Sequence, residues 1–238
     1  MQWSSAADTH PGNHRPRNED AVFCSSAQGL WAVADGMGGH QAGDYASETI
    51  AQSLADIAFN GSVSECVDLI EDSLLEVNDH LRHHARSQCD GNTVGSTVVV
   101  LVSKGDVGVA LWAGDSRLYR LRGRQMQQIT RDHNPVADLL DSGGVTEEEA
   151  LATDTHVITR AVGGQRDLHL DVAVFDVCPG DTMLLCTDGL YREVDPQQLY
   201  AAMKLDVGDA VDTLMTQALE GDARDNVSLV IARAGENA

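Results

Sequence analysis

Basic residues are scarce in this chain: 16 Lys and Arg stand against 37 Asp and Glu among 238 residues, a formal charge of -21. A field of that sign repels polyanions, so nucleic acid and anionic membrane surfaces are not expected partners. No apolar run approaches the roughly 20 residues needed to span a bilayer. The opening Met-Gln-Trp-Ser-Ser-Ala-Ala-Asp has no basic segment followed by an apolar one, so a cytoplasmic protein is expected. Cysteine is sparse and odd in number, at Cys24, Cys66, Cys89, Cys178 and Cys186, without a CxxC or a Cys/His spacing of zinc-site form. That pattern argues against a disulfide framework and a thiolate zinc centre. Aromatic residues make up only 4%, so a core drawn from the 42% hydrophobic residues must be aliphatic. Nothing reads as a linker, a repeat or a low-complexity segment, and a single domain over 1–238, acting as a monomer, is expected.

What is present has two periods. Residues 29–35, Gly-Leu-Trp-Ala-Val-Ala-Asp, form a short apolar run that predicts a buried strand delivering Asp35-Gly36 into a turn. Ala46, Ile50, Leu54 and Ile57 predict a helix over about 43–58. Ser62-Val63-Ser64-Glu65 has capping-box form, and Val63, Val67, Ile70, Leu74, Val77 and Leu81 continue as one helical face. From Thr97 the pattern alternates through a hairpin turned at Lys104-Gly105-Asp106. Further strands at Leu118–Leu121 and from Gly123 to Thr130 suggest a β-meander. Residues 131–165 predict a partly helical, mobile flap, with Asn134-Pro135 opening a helix to Asp141. Strands are expected again at 170–177, 181–187 and 227–232, with a helix carrying Val211, Leu214, Met215 and Ala218 before the last.

Acidic residues recur at the edges of these strands beside Gly or Asn: Glu19-Asp20, Asp35-Gly36, Asp115 after Gly114, Asp188-Gly189 and Asp225-Asn226. Any one of them alone is ordinary turn chemistry. Five together point to convergence of carboxylates from distant parts of the chain. Such a cluster repels itself unless cations neutralise it. Without thiolate or histidine ligands at suitable spacing, oxygen coordination favours Mg²⁺ or Mn²⁺. Two such ions activating a water suit phosphoester hydrolysis.

In their order these segments resemble the PP2C or PPM family of metal-dependent protein serine/threonine phosphatases. Arg15-Pro16-Arg17-Asn18-Glu19-Asp20 is similar to its opening RxxNED-type motif, and Asp35-Gly36-Met37-Gly38-Gly39-His40 to the DGMGGH segment of bacterial members. Gly95-Ser96-Thr97, Gly114-Asp115-Ser116-Arg117, Thr130-Arg131-Asp132-His133, Thr159-Arg160-Ala161-Val162-Gly163, Cys186-Thr187-Asp188-Gly189-Leu190 and Arg224-Asp225-Asn226-Val227-Ser228 match later motifs. The likeness runs from about residue 8 to 233.

The resemblance implies an α+β fold, an αββα sandwich of two antiparallel sheets flanked by helices. It implies that Asp35 bridges two Mn²⁺ or Mg²⁺ ions and that the Gly36 carbonyl binds one of them. Asp188 and Asp225 would complete the other ion's protein ligands, and Glu19 and Asp20 would serve the second ion directly or through waters. Asp115 with Asp188 would form a third site, and Arg15 would bind the substrate phosphate. Arg117 and Arg160 are expected in scaffold ion pairs, and Asn226 in orienting Asp225 or capping its turn. The implied activity is hydrolysis of phosphoserine and phosphothreonine in proteins by a metal-activated water, opposing a bacterial serine/threonine kinase. His10-Pro11-Gly12 resembles the opening of phosphatases associated with type VI secretion.

Rival readings are an enzyme of the same architecture acting on small phosphoesters, and a catalytically silent scaffold that binds phosphoproteins. Retention of Arg15, Asp35, Asp188 and Asp225 argues against the scaffold. Two departures from the pattern stand out. Met37 occupies the place where animal members carry a proposed general-acid histidine, which leaves His40 as the titratable side chain of that turn. Arg192 occupies a place where many relatives have a small or acidic residue, which bears directly on the third site.

Overall fold

The computed structural model describes residues 1–38, 42–58, 61–142 and 157–235. Its strands are β1 (Trp3–His10), β2 (Asp20–Ser25), β3 (Leu30–Gly38), β4 (Val94–Ser96), β5 (Val98–Lys104), β6 (Val107–Ala113), β7 (Arg117–Arg122), β8 (Gln125–Gln128), β9 (Asp171–Asp176), β10 (Thr182–Cys186) and β11 (Val227–Ala234). Its helices are α1 (Ala42–Ala55), α2 (Val63–Gln88), α3 (Pro135–Ser142), α4 (Asp188–Tyr191), α5 (Pro196–Ala202) and α6 (Val207–Glu220).

Two antiparallel sheets lie at the centre. One has the order β1-β11-β10-β7-β8; the other runs β2-β3-β5-β6-β9, with β4 paired to β3. Strand periodicity explains how the layers stack. In β5, Val98, Val100 and Val102 face α1 and α2, while Val99 and Leu101 face the opposite sheet. Each of these side chains is buried, so this apolar run belongs to a strand covered on both faces. Full burial of a Val or Leu side chain contributes about 1.5–3 kcal/mol. On the other side, Leu184, Cys186, Leu229 and Ile231 pack beneath α5 and α6. Between the sheets, Leu118, Met183, Leu185 and Val230 pack with Trp3, Trp31 and Trp112, so the three tryptophans gather in this layer while the outer layers stay largely aliphatic.

The α2 N-terminus has the predicted capping box, with the Ser62 side chain receiving the Glu65 N–H while the Glu65 carboxylate accepts from the Ser62 N–H. Among the described residues no helix is long and apolar enough to cross a membrane.

Three expectations need correction or completion. The β-meander does not exist: β6 and β7 belong to different sheets, because the chain crosses the sandwich at Gly114-Asp115-Ser116. Gly114 takes a φ of +112° there, a conformation L-residues avoid. Asp35-Gly36 is not a turn, because extended backbone continues to Gly38, where pairing with β4 replaces pairing with β5. Residues 3–10, left unassigned by the sequence, are a strand whose eight residues all pair with β11. Of the expected flap, α3 and residues 157–165 are described; residues 143–156 and the Gly39-His40-Gln41 segment lie outside the described residues.

Candidate active site

The start of β2, the end of β3, the crossing after β6, the end of β10 and the start of β11 meet at one end of the sandwich. Each delivers one of the predicted acidic residues. Asp20 opens β2 and lies directly opposite Asp35 in β3. Asp115 sits in the crossing, Asp188 is the first residue of α4, and Asp225 precedes β11. Arg15, Glu19, Asp35, Gly36, Asp115, Asp188 and Asp225 line one cleft of about 350 Å³. Asp20 does not line it and lies beneath, 7% exposed. A wider hollow of about 820 Å³ beside β2 and α1 has Glu48, Asp56 and His80 on its walls. Those groups lack the convergence of carboxylates seen in the smaller cleft.

Close backbone approach explains the glycines beside the acids. A Cβ on Gly36 would come within 2.1 Å of the Gly43 carbonyl oxygen and 2.4 Å of that of Glu19. One on Gly189 would come within 1.9 Å of the Asn226 carbonyl oxygen. Only glycine lets these segments, remote in sequence, close on one another.

Polar side chains then fix the acids. The Asp35 N–H donates to Thr97 Oγ1 (3.0 Å), while its carbonyl accepts from the Thr97 N–H (2.8 Å) and from Ser96 Oγ (2.9 Å). Thr187 Oγ1 donates to Asp20 Oδ2 at 2.9 Å. Asn226, 5% exposed, accepts the Glu19 N–H at 2.8 Å and donates to the carbonyls of Pro11 (3.0 Å) and Arg17 (2.9 Å). Its side chain therefore ties the N-terminal loop down, and only its backbone N–H meets Asp225 Oδ1, which corrects the expectation that it orients that carboxylate. Thr97 and Thr187 were visible in the sequence as motif residues, yet nothing in a linear reading discloses which carboxylate each one supports.

Arg15 Nη2 lies 3.0 Å from Asp225 Oδ2 at the rim, with both side chains about half exposed. Arg117 forks onto Asp132, with Nε to Oδ1 at 2.9 Å and Nη2 to Oδ2 at 2.7 Å, and Arg160 Nη1 meets Asp171 Oδ1 at 2.6 Å. Both are scaffold pairs, as expected. Arg192, assigned no partner from the sequence, places Nη2 3.0 Å from Asp188 Oδ2 and 3.8 Å from Asp115 Oδ2.

Electrostatics show what the cleft demands. Burial, followed by the like charges of Asp20, Asp188, Asp115 and Asp225, pushes the Asp35 carboxyl well above the ordinary carboxylate value. Burial foremost raises Asp20 and Asp115 to about 7 each, with Asp188 adding repulsion to both. Glu19 is raised by burial and then by Asp44. The buried Asp20 Oδ1 has no hydrogen-bond partner. Acids held this way ionise fully only when positive charge arrives, which fits divalent cations bound by oxygen. Among the described residues no three Asp, Glu, His or Cys side chains are drawn tightly enough to enclose one ion. Hard cations that keep several of their waters need only one or two carboxylates each, so a cleft lined by spread acids suits them.

A family model described as protein phosphatase 2C matches residues 9–223. The chain belongs to the bacterial protein phosphatase 2C family. It is a protein serine/threonine phosphatase, and its curated relatives carry that description. The serine/threonine phosphatase Stp of Listeria monocytogenes is 32% identical over 233 residues, covering 94% of this chain and 92% of the relative. Among solved structures, PppA, a key regulatory component of T6SS in Pseudomonas aeruginosa, superposes with a TM-score of 0.90 at 39% identity, covering 98% of both chains. The catalytic domain of the phosphatase PstP, solved in complex with two manganese ions, gives a TM-score of 0.86 at 31% identity over 99% of both chains. The two-sheet architecture is thus the fold of protein phosphatase 2C.

Proposed function

We propose that this protein phosphatase 2C member hydrolyses phosphoserine and phosphothreonine in proteins at the cleft between β3, α4 and β11, with two Mn²⁺ or Mg²⁺ ions bound there. The observation that carries this reading is the meeting of Glu19, Asp35, Asp115, Asp188 and Asp225, from five separate chain segments, with Arg15 at their rim. Asp35 and the Gly36 carbonyl, with Asp188 and Asp225, would hold the ions, and Glu19 and Asp20 would support the second. Bound there, the ions supply a nucleophilic water at neutral pH and stabilise charge on the phosphoryl oxygens. Arg15 has the fork geometry to receive a phosphate dianion, exchanging its contact with Asp225 for the substrate. The Thr97 and Ser96 hydrogen bonds hold the Asp35 backbone still while this happens.

The likeness to PppA supports a role in type VI secretion control, and the phosphoserine and phosphothreonine that this protein would remove require a serine/threonine kinase that it opposes. We read it as a cytoplasmic monomer with one catalytic domain over 1–238. The deciding experiment is hydrolysis of phosphoserine, phosphothreonine and phosphotyrosine peptides with Mn²⁺, with Mg²⁺ and with chelator. Turnover of the first two that chelator abolishes is expected. Absence of turnover with either ion, together with retained binding of the phosphopeptides, would instead support a silent phosphoprotein-binding scaffold.

A further inference from the structure

At the place where a third ion would sit, the structure puts the guanidinium of Arg192. The family resemblance places a third cation between Asp115 and Asp188. Here the Arg192 guanidinium reaches both carboxylates, at 3.8 and 3.0 Å. Its position is built. Arg192 caps the C-terminus of α4, its N–H bonded to the Asp188 carbonyl, so its side chain stands one turn from Asp188 on the same face. The α4 turn is locked in place by Tyr191, whose hydroxyl donates to the Asp115 carbonyl at 3.1 Å. The Arg117 guanidinium covers the Tyr191 ring at 3.6 Å and is itself forked onto Asp132. Asp115 and Asp188 are 6% and 13% exposed at their side chains, and Arg192 is 28% exposed, so the three charges meet away from bulk water.

A small divalent ion takes carboxylate oxygens at about 2.1 Å. Placed between Asp115 and Asp188, it would lie against a permanent cation already 3.0 Å from one of its ligands. Arg cannot give up its proton to relieve that contact.

We propose that Arg192 is a fixed positive charge standing in for the third metal ion, so that this phosphatase binds two divalent ions and not three, and Asp115 serves as the partner of a guanidinium. This rests on the binuclear reading above and assigns Arg192 as a positioning residue that neutralises Asp188 and Asp115.

The test is metal stoichiometry. The full chain, stripped of metal, is equilibrated against increasing Mn²⁺ by dialysis and bound metal is counted by mass spectrometry. Four proteins are compared: wild type, Asp115→Asn, Arg192→Asp, and the Arg192→Asp/Asp115→Asn double variant, with circular dichroism to verify folding. The expected result is saturation at two ions for wild type and for Asp115→Asn, one further ion in Arg192→Asp, and loss of that ion in the double variant. A third ion in wild type that Asp115→Asn removes would overturn the proposal, and so would an Arg192→Asp protein that gains none. The wild-type and Asp115→Asn arm decides the matter even if Arg192→Asp fails to fold. A plateau below two in wild type would count against the binuclear reading, while the Asp115-dependent increment would still judge Arg192.

Discussion

Asp20 and Asp35 are direct partners across the β2–β3 ladder, so two carboxyl groups project from the same face of one sheet at its active end. Like charges in that relation destabilise a sheet by up to about 1 kcal/mol, and here burial adds to the effect. The fold tolerates the pair because the site is made for cations. Asp35→Asn is therefore expected to raise the melting temperature of the metal-free protein, more at pH 8 than at pH 5.5. It should also lower kcat/KM by more than about a hundredfold, since even residues behind a metal ligand cost 10- to 100-fold. Scanning calorimetry in chelator and phosphopeptide kinetics read the two effects separately. Undiminished turnover with verified metal content would remove Asp35 from the ligand set.

The pH dependence of stability should change direction when metal is added. Asp20 and Asp115 are raised from 3.8 to about 7 in the metal-free fold, so the folded state binds more protons than the unfolded chain between those values. Stability from these groups is complete below about pH 4 and is lost as pH rises through 7. Added Mn²⁺ competes with protons for the same carboxylates, so its stabilising effect should grow over that interval. Melting curves at several pH values, with chelator and with Mn²⁺, check this. A metal-induced shift that is flat between pH 5 and 8 would contradict it.

Arg15 forms its contact with Asp225 across a half-exposed rim, where an ion pair contributes little to folding. Arg15→Ala should leave the melting temperature within a degree or two of wild type. A charge-assisted hydrogen bond to substrate is worth about 1.5–3 kcal/mol, which corresponds to a loss of roughly 10- to 100-fold in kcat/KM. Removing the guanidinium from Asp225 should keep or strengthen Mn²⁺ binding, measured by titration calorimetry. Weaker ion binding would show that Arg15 supports the metal site and not the phosphate.

Asn226 uses all its polar atoms on the N-terminal loop, at Glu19, Pro11 and Arg17. Asn226→Ala leaves three backbone groups without a partner, at about 1–3 kcal/mol for each that stays buried. A fall of several degrees in melting temperature is expected, together with weaker binding of phosphate, because this loop carries Arg15. Asn226→Asp should share the defect, since a carboxylate cannot donate to the two carbonyls. A variant with wild-type stability would mean that the loop is held by other contacts, such as Asn13 N–H to the Ala223 carbonyl.

Local order was legible in the sequence because short-range physics sets it. The Ser62–Glu65 capping box, the helical face from Val63 to Leu81, the hairpin at Lys104–Asp106 and the acid-glycine pairs each follow from residues a few positions apart. The identity of the ligand candidates was legible for the same reason, since Asp beside Gly at the end of an apolar run has few other uses when repeated. Tertiary structure decided which strands share a sheet. The alternation at Val107–Ala113 and at Arg117–Leu121 is the same whether the next strand pairs alongside or crosses to the other layer, and only the backbone at Gly114 made the choice. It also decided that β1 is a strand: Trp3–His10 carries little apolar pattern, and its order comes from eight paired residues of β11 some 220 positions away. The partner of Arg192 was hidden likewise. Its spacing from Asp188 lies within one helical turn, but Asp115 reaches it only because β7 and β10, some 70 residues apart in sequence, pair side by side with Arg117 opposite Cys186, a neighbourhood that no linear pattern encodes.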